Sequence, residues 1–138
     1  MWTHFEDSLV CGIVAYIGAA QATPLLLEGL KRLEYRGYDS AGVAVIDDAG
    51  EITSVKSKGR VMVVDNRIAD DGGLPGTIGI AHTRWATHGE PNDVNAHPHA
   101  DDPASGHGIH LVHNGIIENH AVLRTWLLEQ GHVFTSET

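Results

Sequence analysis

Three groups of residues that could carry out chemistry lie far apart in this chain. The single cysteine, Cys11, opens an apolar run after ten other residues. A polar stretch rich in histidine covers residues 82–89 and continues to His97 and His99. The third group, residues 113–115, reads His-Asn-Gly. Together the groups offer a nucleophile, binding side chains and hydrogen-bond donors, which are the parts needed to attack a carboxamide.

The chemistry would begin at Cys11, because a thiol is the strongest ordinary nucleophile among side chains. If Cys11 carried a free α-amine, that amine would act as the general base for its own thiol. Attack on a carbonyl carbon creates an oxyanion, which needs donors that are already in place. The side-chain amide of Asn114 and the backbone N–H of Gly115 offer such a pair, and glycine lets the backbone approach a ligand closely.

A second set of polar residues is suited to holding a small amino acid. The guanidinium of Arg84 can bind a carboxylate through two parallel hydrogen bonds. Thr87 and His88, a few residues further on, can hold the polar end of the same molecule. We interpret this stretch as a substrate-binding segment.

Each of these residues also has a purely structural interpretation. A cysteine in an apolar strand is commonly a small core residue, and Asn-Gly after a strand is commonly a turn. Arg84 beside Trp85 could be a stacked pair on the surface. His88, His97 and His99 could bind zinc, since imidazole suits that ion, although no tight His-x-x-x-His spacing occurs. Composition and spacing alone leave the function open.

The strands that would position these groups are short and apolar. The first is expected to be buried on both faces or nearly so, because it is continuously apolar and rich in β-branched residues. The second and third form a hairpin around a turn that ends in Gly50. The predicted strands cover residues 11–17, 41–46, 52–57, 77–83 and 109–113, and one more begins at His132.

Helices are predicted between these strands. The Thr23-Pro24 pair is typical of a helix start, with a capping hydroxyl before proline. A second helix covers residues 61–70. Asn119 could cap a third helix that ends at Gly131. The apolar face of this third helix consists of Val122, Leu123, Trp126 and Leu127. Hairpins mixed with helices favour an α+β fold with antiparallel sheets.

The composition limits the class of protein. The chain has 138 residues, a net charge of −9 with neutral histidines, and 42% hydrophobic residues, which is typical of one globular domain. The negative charge disfavours nucleic-acid binding. No apolar run approaches the roughly 20 residues that span a bilayer, so no membrane partner is expected. A single cysteine fits a reducing, cytoplasmic location.

Five motifs give the chain a resemblance to a known family. They occupy residues 11–14, 32–42, 81–89, 95–99 and 112–119, and the second contains Arg-Gly-Tyr-Asp-Ser. In this order they resemble the glutaminase domain of glutamine–fructose-6-phosphate aminotransferases (glucosamine-6-phosphate synthases), which are class II glutamine amidotransferases. The resemblance implies an N-terminal nucleophile hydrolase fold, a four-layer αββα sandwich of two antiparallel sheets that is incomplete in this chain.

The resemblance also implies roles for the site residues. Cys11 would be the nucleophile, with Asn114 and Gly115 forming the oxyanion hole. Arg84 would bind the α-carboxylate of glutamine, and Tyr38 would lie near the glutamine site in a mobile loop. No metal or cofactor is expected. The other residues of the binding pocket would be Trp85, Thr87, His88 and His97.

The reaction implied by the resemblance is hydrolysis of the side-chain amide of L-glutamine to glutamate and ammonia, through a thioester on Cys11. In the full-length enzyme, a sugar-phosphate isomerase domain of the same chain would use the ammonia to make glucosamine 6-phosphate from fructose 6-phosphate. The complete protein is expected to be a homodimer in the cytoplasm.

Two departures from the family pattern set up an alternative function. Residues 1–10 are expected to be an N-terminal extension, and while it is attached the amine of Cys11 is an amide that cannot act as a base. Residues 11–138 are expected to be a partial glutaminase domain, since the family pattern continues past Thr138. The alternative is a non-catalytic segment that binds glutamine or a partner, and little activity is expected from the 138-residue chain alone.

Overall fold

The computed structural model of the protein describes residues 11–101 and 108–138. The predicted extension over residues 1–10 and the short segment 102–107 lie outside the described residues. The order of elements is strand, helix, hairpin, helix and strand, followed by a segment that contains two very short strands and a last helix.

A four-stranded antiparallel sheet forms the centre of the molecule. Its strands are β1 (Gly12–Ile17), β2 (Ser40–Ile46), β3 (Ile52–Lys58) and β4 (Ile78–Arg84), in the spatial order β1-β4-β2-β3. The predicted hairpin is confirmed, because β2 and β3 pair along their whole length. Gly50 in its turn has a φ of +83°, a backbone conformation that favours glycine.

Two helices cover one face of this sheet. Helix α1 spans Ala22–Leu33 and helix α2 spans Val61–Asp70, which matches the second predicted helix. The strands alternate, so every second residue of β2 and β4 faces these helices. The apolar core lies between the helices and the sheet. Its fully buried members include Leu26, Leu30, Val43, Val61, Val64 and Ala81.

The prediction that the first strand is buried on both faces was wrong. Strand β1 is an edge strand of the sheet, and its residues alternate between covered and open positions. Val14 and Tyr16 pack against the core, whereas Ile13 and Ile17 are exposed. A run of apolar residues does not show whether both faces are covered, because that depends on which layers pack against the sheet.

The predicted start of the first helix was also wrong in detail. Helix α1 begins at Ala22, after Gln21, and no side chain caps it. Thr23 therefore lies inside the first turn. Its buried hydroxyl donates a hydrogen bond of 2.6 Å to the carbonyl of Leu74. A partner 51 residues away thus replaced the local cap that the sequence predicted.

The segment after residue 98 differs most from the sequence prediction. Strands β5 (His99–Ala100) and β6 (His110–Leu111) form a two-stranded antiparallel sheet, shorter than the strand predicted over 109–113. Helix α3 spans His120–Glu129, but Asn119 makes no capping bond through its side chain. No strand forms from His132 onwards among the described residues, since no neighbouring strand accepts its hydrogen bonds.

The apolar face of α3 is not buried. No residue of this helix is buried, and Val122 and Trp126 are 71% and 55% exposed. The apolar face that Val122, Leu123, Trp126 and Leu127 form is therefore left largely uncovered by the described residues. In the described parts of the chain, no helix is both long and apolar enough to cross a membrane.

Candidate active site

Cys11 lies directly before β1, beside the end of β4. Strand pairing places Gly12 opposite Thr83, and the N–H of Gly12 donates to the Thr83 hydroxyl at 3.1 Å. The partly buried thiol accepts a hydrogen bond of 3.2 Å from the N–H of Trp85. The central strand therefore holds the predicted nucleophile against the start of the histidine-rich segment.

Asn114 reaches the same point from a distant part of the chain. Its side-chain nitrogen donates to the carbonyl of Cys11 at 2.9 Å, across 103 residues of sequence. Its side-chain oxygen lies 2.7 Å from Nε2 of His82. Gly115 has a φ of +145°, so glycine fits this turn better than any residue with a side chain. The structure thus brings together the first and third groups of chemical residues.

Arg84 is directed into the loop that follows it. The residue is 5% exposed, and its guanidinium donates to the carbonyls of His88, Gly89 and Glu90. Thr87 lies exposed beside the exposed His88 in the same loop, and their side chains are 3.3 Å apart. The stacked surface pair of Arg84 and Trp85 is excluded, because Arg84 is buried and organises the loop backbone.

Asp39 is a residue of the site region that the sequence analysis did not select. Its carboxylate accepts a hydrogen bond of 2.6 Å from the N–H of Ala86, and its own N–H donates to the carbonyl of Arg84 at 2.8 Å. Its neighbour Tyr38, which the family resemblance implies near the glutamine site, packs against the helical core. The Tyr38 hydroxyl contacts Glu34 and accepts from the N–H of Val61 at 2.9 Å.

Three histidine rings contact one another in series, with His97 in the middle. The ring centroids of His82 and His97 are 4.3 Å apart, and those of His97 and His99 are 4.4 Å apart. Burial lowers the pKa of His82 to about 4, that of His97 to about 3 and that of His99 to about 4. All three rings are therefore neutral at pH 7, which lets them pack closely without charge repulsion.

The segment that carries His97 is held by a lysine. The ammonium of Lys56 donates to the carbonyls of Ala96 and Pro98 at 2.8 and 3.1 Å. Burial lowers the pKa of Lys56 from its ordinary value. In residues 11–101 and 108–138, no group of three histidine, cysteine or acidic side chains is arranged to hold a metal ion.

Comparison with known proteins is consistent with this geometry. No family model matches the chain. Glutamine–fructose-6-phosphate aminotransferases of Caldanaerobacter subterraneus and Bacteroides thetaiotaomicron are 57% and 56% identical to it over 129 residues, which is 94% of the chain. The chain spans 20% of the length of these relatives.

Solved structures agree with the sequence relatives. Glutamine phosphoribosylpyrophosphate amidotransferase from B. subtilis, complexed with ADP and GMP, superposes with a TM-score of 0.74 and 27% identity, over 94% of this chain and 26% of that one. The chain is therefore similar to glutamine amidotransferases in sequence and in fold. A second structure of this kind, an allosteric regulatory enzyme of purine biosynthesis, gives a TM-score of 0.71 and 28% identity, over 92% of this chain and 26% of that one. The predicted fold class is confirmed.

One more residue near the candidate site was not selected individually from the sequence. Asn95 is fully buried, and its side chain donates to Glu90 O and to the carboxylate of Glu137, each at 3.0 Å. Its oxygen accepts from the N–H of Glu137 at 2.9 Å. This amide ties the loop after Arg84 to the last described residues. Its position in the Asn-Ala-His-Pro-His motif was the only signal in the sequence.

Proposed function

We propose that this chain carries the glutamine-hydrolysing site of an amidotransferase, with Cys11 as the nucleophile. The observation that carries the proposal is the contact of Asn114 with Cys11, at 2.9 Å between the side-chain nitrogen and the main-chain carbonyl. It joins a thiol to an amide donor through residues that the sequence keeps far apart. Such a pair is what attack on a carboxamide requires.

The reaction would proceed in two steps. The free α-amine of Cys11 takes the thiol proton while Sγ attacks the side-chain carbonyl carbon of L-glutamine. The oxyanion that forms is stabilised by the second N–H of the Asn114 amide and by the backbone N–H of Gly115. Its collapse, with the α-ammonium returning that proton to the leaving nitrogen, expels ammonia and leaves a γ-glutamyl thioester on Cys11. Water then attacks the thioester, releases glutamate and restores the thiol.

The loop that follows β4 would bind the amino-acid part of glutamine. The guanidinium of Arg84 donates hydrogen bonds to three loop carbonyls. A guanidinium has five N–H donors in total. We propose that its remaining donors take the α-carboxylate when the loop moves aside. Thr87 and His88 are exposed and would make the first contacts, while Trp85 and His97 would line the pocket.

The use of the ammonia rests on similarity to the relatives. These relatives are glutamine–fructose-6-phosphate aminotransferases (isomerizing). We propose that the ammonia released here is passed to a sugar-phosphate isomerase domain and converts fructose 6-phosphate to glucosamine 6-phosphate. We also propose that the complete protein is a homodimer.

The proposal is tested by comparing chain starts. Three proteins are made from the complete reading frame: one beginning at Met1, one beginning at Cys11, and one beginning with Cys11→Ser. Glutamate release from L-glutamine is measured in each. We expect release only from the protein that begins at Cys11, since the protein that begins at Met1 lacks the free amine and the protein with Cys11→Ser lacks the thiol. Equal release from the protein with Cys11→Ser would reject Cys11 as the nucleophile.

A second candidate function follows from one feature of the sequence. Val10 precedes Cys11, and the peptide bond between them removes the amine that the mechanism needs. A protein that retains residues 1–10 would bind glutamine or a partner without turnover. Calorimetric titration of the protein beginning at Met1 with L-glutamine distinguishes the two functions, because binding without glutamate release supports the second candidate.

A further inference from the structure

His82 is a fully buried polar residue in the middle of the central strand. On β4 it pairs with Ile13 of β1 on one side and with Gly42 of β2 on the other. Its ring lies on the face of the sheet that carries the site, opposite the helical core. Burial of a polar ring costs free energy unless its nitrogens find partners. The partner that the structure provides is the side-chain oxygen of Asn114, at 2.7 Å from Nε2.

The contact between Asn114 and the carbonyl of Cys11 fixes which atom donates in the bond between His82 and Asn114. The carbonyl of Cys11 can only accept, so the nitrogen of the Asn114 amide must face it, at 2.9 Å. The oxygen of the same amide then faces His82, and Nε2 must carry the proton. Nδ1 of His82 has no hydrogen-bond partner among the described residues, which fits a neutral ring with its one proton on Nε2.

We propose that His82 is a positioning residue, whose Nε2–H holds the Asn114 amide with its nitrogen toward Cys11. The bond itself is independent of the proposed function. Its consequence for catalysis rests on the proposed function, in which the same amide stabilises the oxyanion.

Such a residue is needed because an asparagine amide has nearly the same shape when its oxygen and nitrogen exchange places. The terminal torsion of asparagine has two broad minima about 180° apart, which exchange the positions of oxygen and nitrogen. One orientation presents N–H groups to the site, and the other presents an oxygen that repels an oxyanion. With His82 as a donor on the far side, only the productive orientation makes both hydrogen bonds.

The loss of His82 should therefore affect the transition state more than the binding of substrate. Removing a whole oxyanion-hole donor typically lowers kcat by roughly a hundredfold to a thousandfold. A misoriented donor is a smaller loss, because the productive orientation is still visited. We expect His82→Leu to lower kcat by roughly tenfold to a hundredfold, with KM changed by less than about twofold.

The test uses the full-length protein that begins at Cys11. His82→Gln should keep most of the activity lost in His82→Leu, since a glutamine amide can place an N–H near the position of Nε2. In an Asn114→Ala background, His82→Leu should cost nothing further, because the residue that it positions is gone. His132→Leu, at an exposed histidine, is the matched control and should leave kcat unchanged. Equal losses in His82→Gln and His82→Leu, or effects that add to that of Asn114→Ala, would overturn the proposal.

A second measurement does not depend on catalysis. Nitrogen NMR of ring-labelled histidine at pH 7 reports which nitrogen of each neutral ring carries the proton. We expect His82 with the proton on Nε2, and a proton on Nδ1 would overturn the proposal even if His82→Leu fails to fold. If the protein beginning at Cys11 hydrolyses no glutamine, the proposed function fails, while the ring spectrum still decides the role of His82.

Discussion

The two faces of the four-stranded sheet are built from neighbouring residues but are stabilised in different ways. Toward α1 and α2, β2 and β4 present Val43, Val45 and Ala81, all almost fully buried and apolar. Toward the candidate site, the same strands present Gly42 and His82, with Arg84 at the end of β4. The first face is held by close packing, whereas the second is held by hydrogen bonds to loops.

This difference shows how one strand can contribute residues both to the core and to the candidate site. Side chains of a strand alternate between its faces, so β4 can supply Ala81 to the core and His82 to the site. Apolar packing is not directional and tolerates many partners of similar volume. Hydrogen bonds at the site are directional, and each needs one particular partner, such as Asn114 for His82.

The largest effect is expected on the helical face, from Leu30→Ala. Leu30 is fully buried in the core, and its truncation leaves a cavity that surrounding side chains fill only partly. We expect the free energy of unfolding to fall by about 2–5 kcal/mol, measured by urea denaturation. Leu25→Ala, in the same helix but at a nearly half-exposed residue, is the control and should cost less than about 1 kcal/mol. Similar losses in both variants would mean that the helical face is not closely packed.

The next largest loss of stability is expected from Gly42→Ala, where the segment around His97 touches the sheet. A Cβ at Gly42 would overlap the carbonyl oxygen of His97 and lie 2.7 Å from Cβ of Lys56. The segment around His97 must then move, at a cost of about 1–3 kcal/mol in unfolding free energy. Thermal denaturation measures the loss. Ala15→Val, at an exposed residue of the edge strand, adds bulk toward solvent and should be nearly neutral. An unchanged Gly42→Ala protein would show that this segment does not rest on the sheet.

Acid should destabilise the site face through its histidines. The pKa values of His82, His97 and His99 are lowered to about 4, about 3 and about 4, from an ordinary value of 6.5. Between pH 6.5 and 4 the unfolded chain therefore binds protons that the folded chain does not, so stability is full above pH 6.5 and falls as the pH falls.

The size of this acid effect is limited by solvent. Each histidine contributes at most about 1.4 kcal/mol per pH unit, and the partly exposed rings contribute less. We expect a loss of about 1–2 kcal/mol between pH 7 and 5, measured by urea denaturation at each pH. His99→Gln should reduce the slope, since one titrating ring is gone. A slope that is unchanged in His99→Gln would contradict the assignment.

The smallest loss of stability is expected from Arg67→Ala, which removes an ion pair at the surface. Arg67 donates to the carboxylate of Asp93 at 2.9 Å, with both side chains nearly half exposed. It also donates to the carbonyl of Lys56 at 2.9 Å. Exposed pairs contribute little, and we expect a loss below about 1 kcal/mol. The salt dependence of unfolding should weaken in the variant. A loss as large as that of Leu30→Ala would mean that this surface ion pair, and not the core, holds α2 against the sheet.

The helix-covered half of the fold could be predicted from the sequence to within a few residues. The hairpin and the helix over 61–70 were predicted correctly because alternation and helical spacing are local signals. The exposure of β1 and of Trp126 could not be predicted, since the sequence does not show which layers cover a face. Thr23 was misjudged because its partner, the carbonyl of Leu74, is distant in sequence.

The candidate site was predicted as three groups of residues, and the structure brings Cys11 and Asn114 together. It does not place Arg84 as an open carboxylate clamp, because its donors turn to the loop carbonyls of His88, Gly89 and Glu90. Asp39, Lys56 and Asn95 were missed as individual residues, since each acts by binding the backbone of a loop whose course the sequence does not reveal.

By itself, the sequence determined the chemical inventory and the local elements: one thiol, one Asn-Gly pair, a histidine-rich stretch, and strands and helices with clear periodicity. Only the tertiary structure decided which nitrogen faces which oxygen, and so which buried polar group orients another. The physical reason is the distance along the sequence over which each kind of interaction acts. Periodicity and turn preferences act between residues a few positions apart, whereas the hydrogen bond from Asn114 to Cys11 spans 103 positions and exists only after the sheet has formed.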